Sequence, residues 1–262
     1  MSQMAGAGRK QEERRARIWR AAVWLAVYLC VFTAFAFVAS QRCSERGLMA
    51  TLTFVECALL AVVVAIFAVT LDPRELGVWK FVLHLGAVCV LTLLISAGVL
   101  GLASAAWGAQ PFIGGLAAQL VILSFCILLG SVFAVVRCSG SELLFAQLVC
   151  IFVACALMGT VFYADPIIEV QRSSEAKGLV IRAVLATNPI TAISWSLLRF
   201  DLMHRPLMYG SISVIGDHYT PYPDWWTTLC GYLAMSAVTL VGAELLRRHR
   251  SLKLIRKGGR SR

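Results

Sequence analysis

From residue 18 to residue 246 the chain is a succession of apolar blocks, each about as long as the hydrocarbon core of a bilayer is thick. A transmembrane helix needs about 20 consecutive apolar residues. The blocks at 18–40, 49–71, 78–105, 112–136, 143–163 and 225–246 meet that length. They commit the chain to an all-α fold, a polytopic membrane protein with six transmembrane helices. Only 15% of the residues are charged, against 59% apolar, and a soluble domain carries roughly 25% charge. The spans use most of the chain and leave no length for a separate soluble catalytic domain. The first block is too long to be the apolar region of a cleaved signal peptide and reads as a retained anchor.

A net charge of +10 can mark a nucleic-acid binder, but here the basic residues gather where topology is decided. Arg9, Lys10, Arg14, Arg15, Arg17 and Arg20 precede the first span, Arg74 and Lys80 follow the second, Arg137 follows the fourth, and a basic tail, 247–262, follows the sixth. The opposite side holds Arg42, Arg46 and a few residues of one long loop. The positive-inside rule then puts both termini in the cytoplasm of a multi-pass protein of the plasma membrane. The organisation expected is a cytoplasmic basic amphipathic segment, 1–17, a transmembrane domain, 18–246, and a cytoplasmic tail, 247–262. The polyanion such a surface meets is the headgroup layer of the membrane lipids, and no nucleic-acid partner is expected.

The loop from 164 to 224 is too apolar to be an ordinary connection. It holds two hydrophobic runs, 179–187 and 190–203, that meet at Asn188 and Pro189. Asn is a favoured helix N-cap and Pro a favoured first helical residue, so a helix starts here, and the same proline stops the run before it. Neither helix is long enough to cross a bilayer. The expectation is an outer hairpin over 179–203 that dips into the membrane and returns, packed against the spans, because a break at membrane depth must have its freed backbone groups satisfied by protein. A pair of amphipathic helices lying on the outer leaflet is the alternative.

Few residues carry chemistry. Glu56 is an ionisable residue inside the second span, where a carboxylate costs about 2.5–3.5 kcal/mol and calls for a partner. Gln119 lies as deep in the fourth span, so the two are expected to share a polar layer. His84 reads as an interfacial residue near the start of the third span. Asp201, His204, Asp217 and His218 sit in the outer loop without the spacing of a zinc or protease motif, and no metal site is expected. The nine cysteines include no C-x-x-C pair and read as small apolar residues packed in helices. No lysine follows a glycine, which excludes a P-loop, and neither H-E-x-x-H nor G-x-S-x-G occurs. The chain is expected to be no enzyme and to need no cofactor.

One cytoplasmic turn remains, 72–80, short, charged at its start and bounded by Pro73 and Gly77. With the basic segment before the first of six spans, both termini inside, and a hairpin ahead of the last span, the pattern resembles the permease subunits of type 2 ATP-binding-cassette transporters. The stretch 185–191, with Asn188 and Pro189, is similar to the Asn-Pro element of that family, and Arg74, Glu75, Leu76 and Gly77 are similar to its Glu-x-Gly stretch after the second span. The resemblance implies an exporter permease that forms the translocation path as a homodimer or heterodimer. It also implies a separate cytoplasmic ATPase subunit, coupled through Arg14, Arg17, Trp19, Asp72, Arg74, Glu75 and Gly77, with the hairpin at Asn188 and Pro189 closing the outer exit. A structural or assembly membrane protein without a transport cycle is the competing expectation.

Overall fold

The computed structural model describes residues 55–60, 71–107, 112–198 and 221–258, with isolated positions between 19 and 34 and residue 215. Among the described residues the regular structure is helical throughout. The helices are α1 (Pro73–Leu76), α2 (Val78–Trp107), α3 (Phe112–Cys138), α4 (Leu143–Met158), α5 (Thr160–Val170), α6 (Ser174–Thr187), α7 (Pro189–Leu198) and α8 (Trp225–Gly258). Residues 55–60, inside the expected second span, are helical as well.

Local chemistry sets the boundaries. Asp72 caps α1 by accepting from the Arg74 amide at 3.0 Å, and Pro73 occupies the first turn, where its missing N–H costs nothing. Gly77 stands between α1 and α2 with φ 83°, a conformation that a side chain resists. Ser173 caps α6 by accepting from the Ala176 amide at 3.1 Å.

The organising element is α3. It packs against α2, α4, α7 and α8 and supplies Val121, Ile122, Phe125, Leu128, Leu129 and Phe133 to the core. Phe133 stacks on Phe81 of α2 with ring centroids 5.8 Å apart, and Phe125 meets Tyr232 of α8 at 5.6 Å. The absence of a side chain at Gly130 lets Leu85 of α2 press against the α3 backbone, because a Cβ there would collide with it. A second, smaller core lies between α5 and α6, built from Val161, Ala164, Ile168, Ile181 and Leu185.

Length and composition make Gly115–Cys138 and Trp225–Leu252 candidate membrane spans, and up to four spans result if α4–α5 and α6–α7 each count as one bent span. Among the described residues this gives two to four candidate spans, one of them the pair expected as the hairpin. Residues 18–40 and 49–71 lie mostly outside the described residues, and α2 contributes a shorter apolar segment, Val78–Leu94.

Three boundaries differ from the sequence expectation. The fifth apolar block does not end at 163: the helix bends by 58° at Gly159 and runs on as α5 to Val170, so the first residues of the expected loop are helical. Gly159 lets this happen, since a Cβ would sit 3.0 Å from the Cys155 carbonyl and 3.2 Å from the Tyr163 ring. The first arm of the hairpin starts at Ser174 rather than 179. Finally, α8 does not stop at 246 but carries the basic tail as helix to Gly258, as leucine, arginine and lysine favour.

Candidate functional site

The break between α6 and α7 is held by side-chain hydrogen bonds from several helices. The two helices turn through 86° at Asn188. Asn188 is buried, and its side chain works in both directions. Its Oδ1 accepts from the amides of Ile190 (2.9 Å) and Thr191 (3.3 Å), capping α7, while its Nδ2 donates to the Met158 carbonyl at 2.9 Å. Met158 ends α4, so one side chain joins the bend of one helix pair to the bend of the other.

The carbonyls freed at the end of α6 are also met by side chains. Thr191 Oγ1 donates to the Leu185 carbonyl at 2.7 Å, Thr228 Oγ1 to that of Ala186 at 2.8 Å, and the Tyr232 hydroxyl to that of Thr187 at 2.6 Å. Thr228 and Tyr232 belong to α8, which therefore holds the break in place from the side. This is the condition under which irregular backbone can sit away from water. The far end of α7 is fixed by Trp195, whose ring stacks on Tyr222 ahead of α8 at 4.8 Å.

A second polar point lies in the core. Gln119 Nε2 donates to Glu56 Oε2 at 2.9 Å, and Glu56 is 0% exposed. The two residues that sequence depth pairs are in contact. Cys57 and Cys126 are buried in the same core.

The third point is the turn holding Asp72, Arg74, Glu75 and Gly77. It docks onto the turn after α3. Arg74 donates from Nε to the Arg137 carbonyl (2.5 Å) and from Nη2 to the Ser141 carbonyl (2.8 Å). Arg137 in turn donates to the Ser141 carbonyl at 2.7 Å and forms an ion pair with Asp72. Arg250, on the extension of α8, donates to the Ser139 carbonyl. Partial burial, followed by the nearby Arg137 guanidinium, pulls Arg74 below its ordinary pKa. Gly140, φ 98°, has the Arg250 guanidinium where a Cβ would stand.

The remaining sequence candidates fall elsewhere. Trp19 is helical and 72% exposed; Arg14, Arg17, Asp201, His204, Asp217 and His218 lie outside the described residues. His84 Nδ1 is 2.6 Å from the Lys80 carbonyl on the surface of α2. Among the described residues no group of three potential ligands is placed to hold a metal ion. Sequence reasoning missed Met158, Thr191, Thr228 and Tyr232 around Asn188, and Ser141 and Arg250 around the turn. Ordinary threonines and tyrosines inside apolar blocks are indistinguishable in sequence from packing residues.

Comparison with family models, curated proteins and solved structures finds no match to this chain. Its function is therefore argued from the geometry of the three points above.

Proposed function

We propose that this chain is the membrane-spanning permease subunit of a type 2 ATP-binding-cassette exporter, driven by a separate cytoplasmic ATPase and working beside a second permease copy. The observation that carries the reading is the α6–α7 pair: two short helices bent by 86° at an Asn-Pro step, seated against α3 and α8 and ahead of α8 in the chain. In this reading the pair is a re-entrant outer hairpin between the fifth and sixth of six spans, and it closes the outer exit. The turn with Asp72, Arg74, Glu75 and Gly77 receives the motion of the ATPase and passes it through Arg137 to α3, the helix that touches the hairpin. Glu56 and Gln119 form a polar layer within the path. The chain itself makes and breaks no covalent bond.

A structural or assembly role without a transport cycle is the second reading. The closed hydrogen bonding around Asn188 favours it, because a fully satisfied break resists movement. Co-expression with a cytoplasmic ABC ATPase, sought beside the gene of this chain, separates the two. A permease is expected to give a stable complex whose ATPase activity in liposomes falls when Asp72 and Arg74 are replaced by alanine; absence of both complex and activity would sink the permease reading.

A further inference from the structure

Three arginines from three helices converge on one turn at the end of the candidate span Gly115–Cys138. Arg74 of α1, Arg137 of α3 and Arg250 of α8 all donate to carbonyls between 137 and 141. Asp72 is committed to Arg137, and Glu244, one to two turns before Arg250 on α8, is committed to Arg247 and Arg248. Neither Arg74 nor Arg250 is ion-paired to a carboxylate among the described residues. The C-terminal dipole of α3 offsets roughly half a charge, and the further carboxylates nearest in sequence, Glu75 and Glu142, are exposed.

Arg74 and Arg250 are exposed. Arg74 spends Nε and Nη2 on the turn, and Arg250 spends Nη2 while its Nη1 lies against Gly140, which leaves Arg74 Nη1 and Arg250 Nε for a ligand. Burial first, then the Arg137 guanidinium, and lastly that of Arg250 lower the pKa of Arg74, against Asp72, which raises it. A planar guanidinium offers parallel N–H donors that match phosphate oxygens. The turn lies at a span end, and there phosphate is the anion that a bilayer supplies in quantity.

We propose that Arg74 and Arg250 together hold a phosphate group beside the turn at 137–141, the headgroup phosphate of an anionic phospholipid being the source that position favours. The site is independent of the permease reading, because it requires only that residue 138 end a membrane span. Occupancy would tie α1, α3 and α8 together at one membrane surface.

The test uses the full chain purified in detergent, with phosphatidylglycerol, phosphatidylcholine and inorganic phosphate as separate probes in native mass spectrometry. The wild type is expected to retain phosphatidylglycerol about tenfold better than phosphatidylcholine, and R74Q/R250Q to lose most of that preference. Arg182→Gln, on the exposed side of α6, is expected to keep it. Displacement of the lipid by millimolar inorganic phosphate would support the phosphate chemistry and assign the site to a soluble anion. Should R74Q/R250Q fail to fold, R74K/R250K keeps both charges but loses the planar fork, and is expected to bind severalfold more weakly. Retention of the lipid at wild-type level by either double variant, or wild-type binding that does not weaken between about 50 and 500 mM salt, overturns the proposal.

Discussion

Asn188 makes bonds to two helix pairs through one amide, and its two halves can be separated by substitution. Asn188→Ser keeps an oxygen that can cap α7 but removes the donor to the Met158 carbonyl, and a buried carbonyl left unpaired costs about 1–3 kcal/mol. Asn188→Ala removes the cap as well, adding about 1 kcal/mol. In a denaturation series in mild detergent the expected order of stability is wild type, then Asn188→Ser, then Asn188→Ala. Equal midpoints for all three would mean that the contacts of Asn188 do not hold the bends together. At Tyr232 the hydroxyl and the ring act separately: Tyr232→Phe leaves the contact with Phe125 and removes only the bond to the Thr187 carbonyl, so it is expected to cost less than Asn188→Ala.

Among the elements, α4 and α5 depend on Gly159 for their 58° bend. Gly159→Leu forces a side chain against the Cys155 carbonyl and the Tyr163 ring, and the expected response is a straighter α4–α5 pair that pulls Met158 away from Asn188. Spin labels at Leu148 and Ile167, both exposed, are expected to move apart in the variant; an unchanged distance distribution would show that the bend is imposed by packing rather than by the glycine. This bend was illegible in sequence for a physical reason. Glycine is common in membrane helices and usually marks close packing rather than a kink, so Gly159 carries no local signature. The Asn188 break is different, because an N-cap followed by proline is a local signal that needs no tertiary information. The ends of α3, expected at 112 and 136 and found at Phe112 and Cys138, were legible for the same reason: Pro111 before and Gly140 after punctuate it. The arginine turn was half legible. Charge placement identifies Arg74 and Arg137 as lying on one side of the membrane, but their meeting, and the arrival of Arg250 on a helix longer than its apolar block, depend on how α1, α3 and α8 pack.

For the molecule as a whole the decisive quantity is where the apolar side chains that are not in the core point. Leu83, Leu94, Phe152, Ile167 and Val238 are all more than half exposed, on α2, α4, α5 and α8, and a surface of that kind has no stable place in water. Lipid tails, or a second copy, are what such a belt meets. The candidate span Trp225–Leu252 makes the case quantitative, because only 22% of its most apolar window is buried within the chain. Val238 lies near the middle of that helix and is 74% exposed, so in a membrane-spanning α8 it would stand close to the bilayer centre. Val238→Arg is expected to raise the cost of inserting α8 by about 2.5–3.5 kcal/mol, measured by placing the α8 segment in a reporter of translocon-mediated insertion and comparing the inserted fraction. Ser236, on the buried side of the same helix and bonded within it, supplies the control: Ser236→Ala is expected to leave insertion unchanged or improve it, and to act instead on the packing of the folded chain. If Val238→Arg inserted as well as the wild type, or the isolated segment failed to insert at all, the exposed belt of α8 would have to face protein rather than lipid, and the chain would reach a stable state only with a partner covering that side.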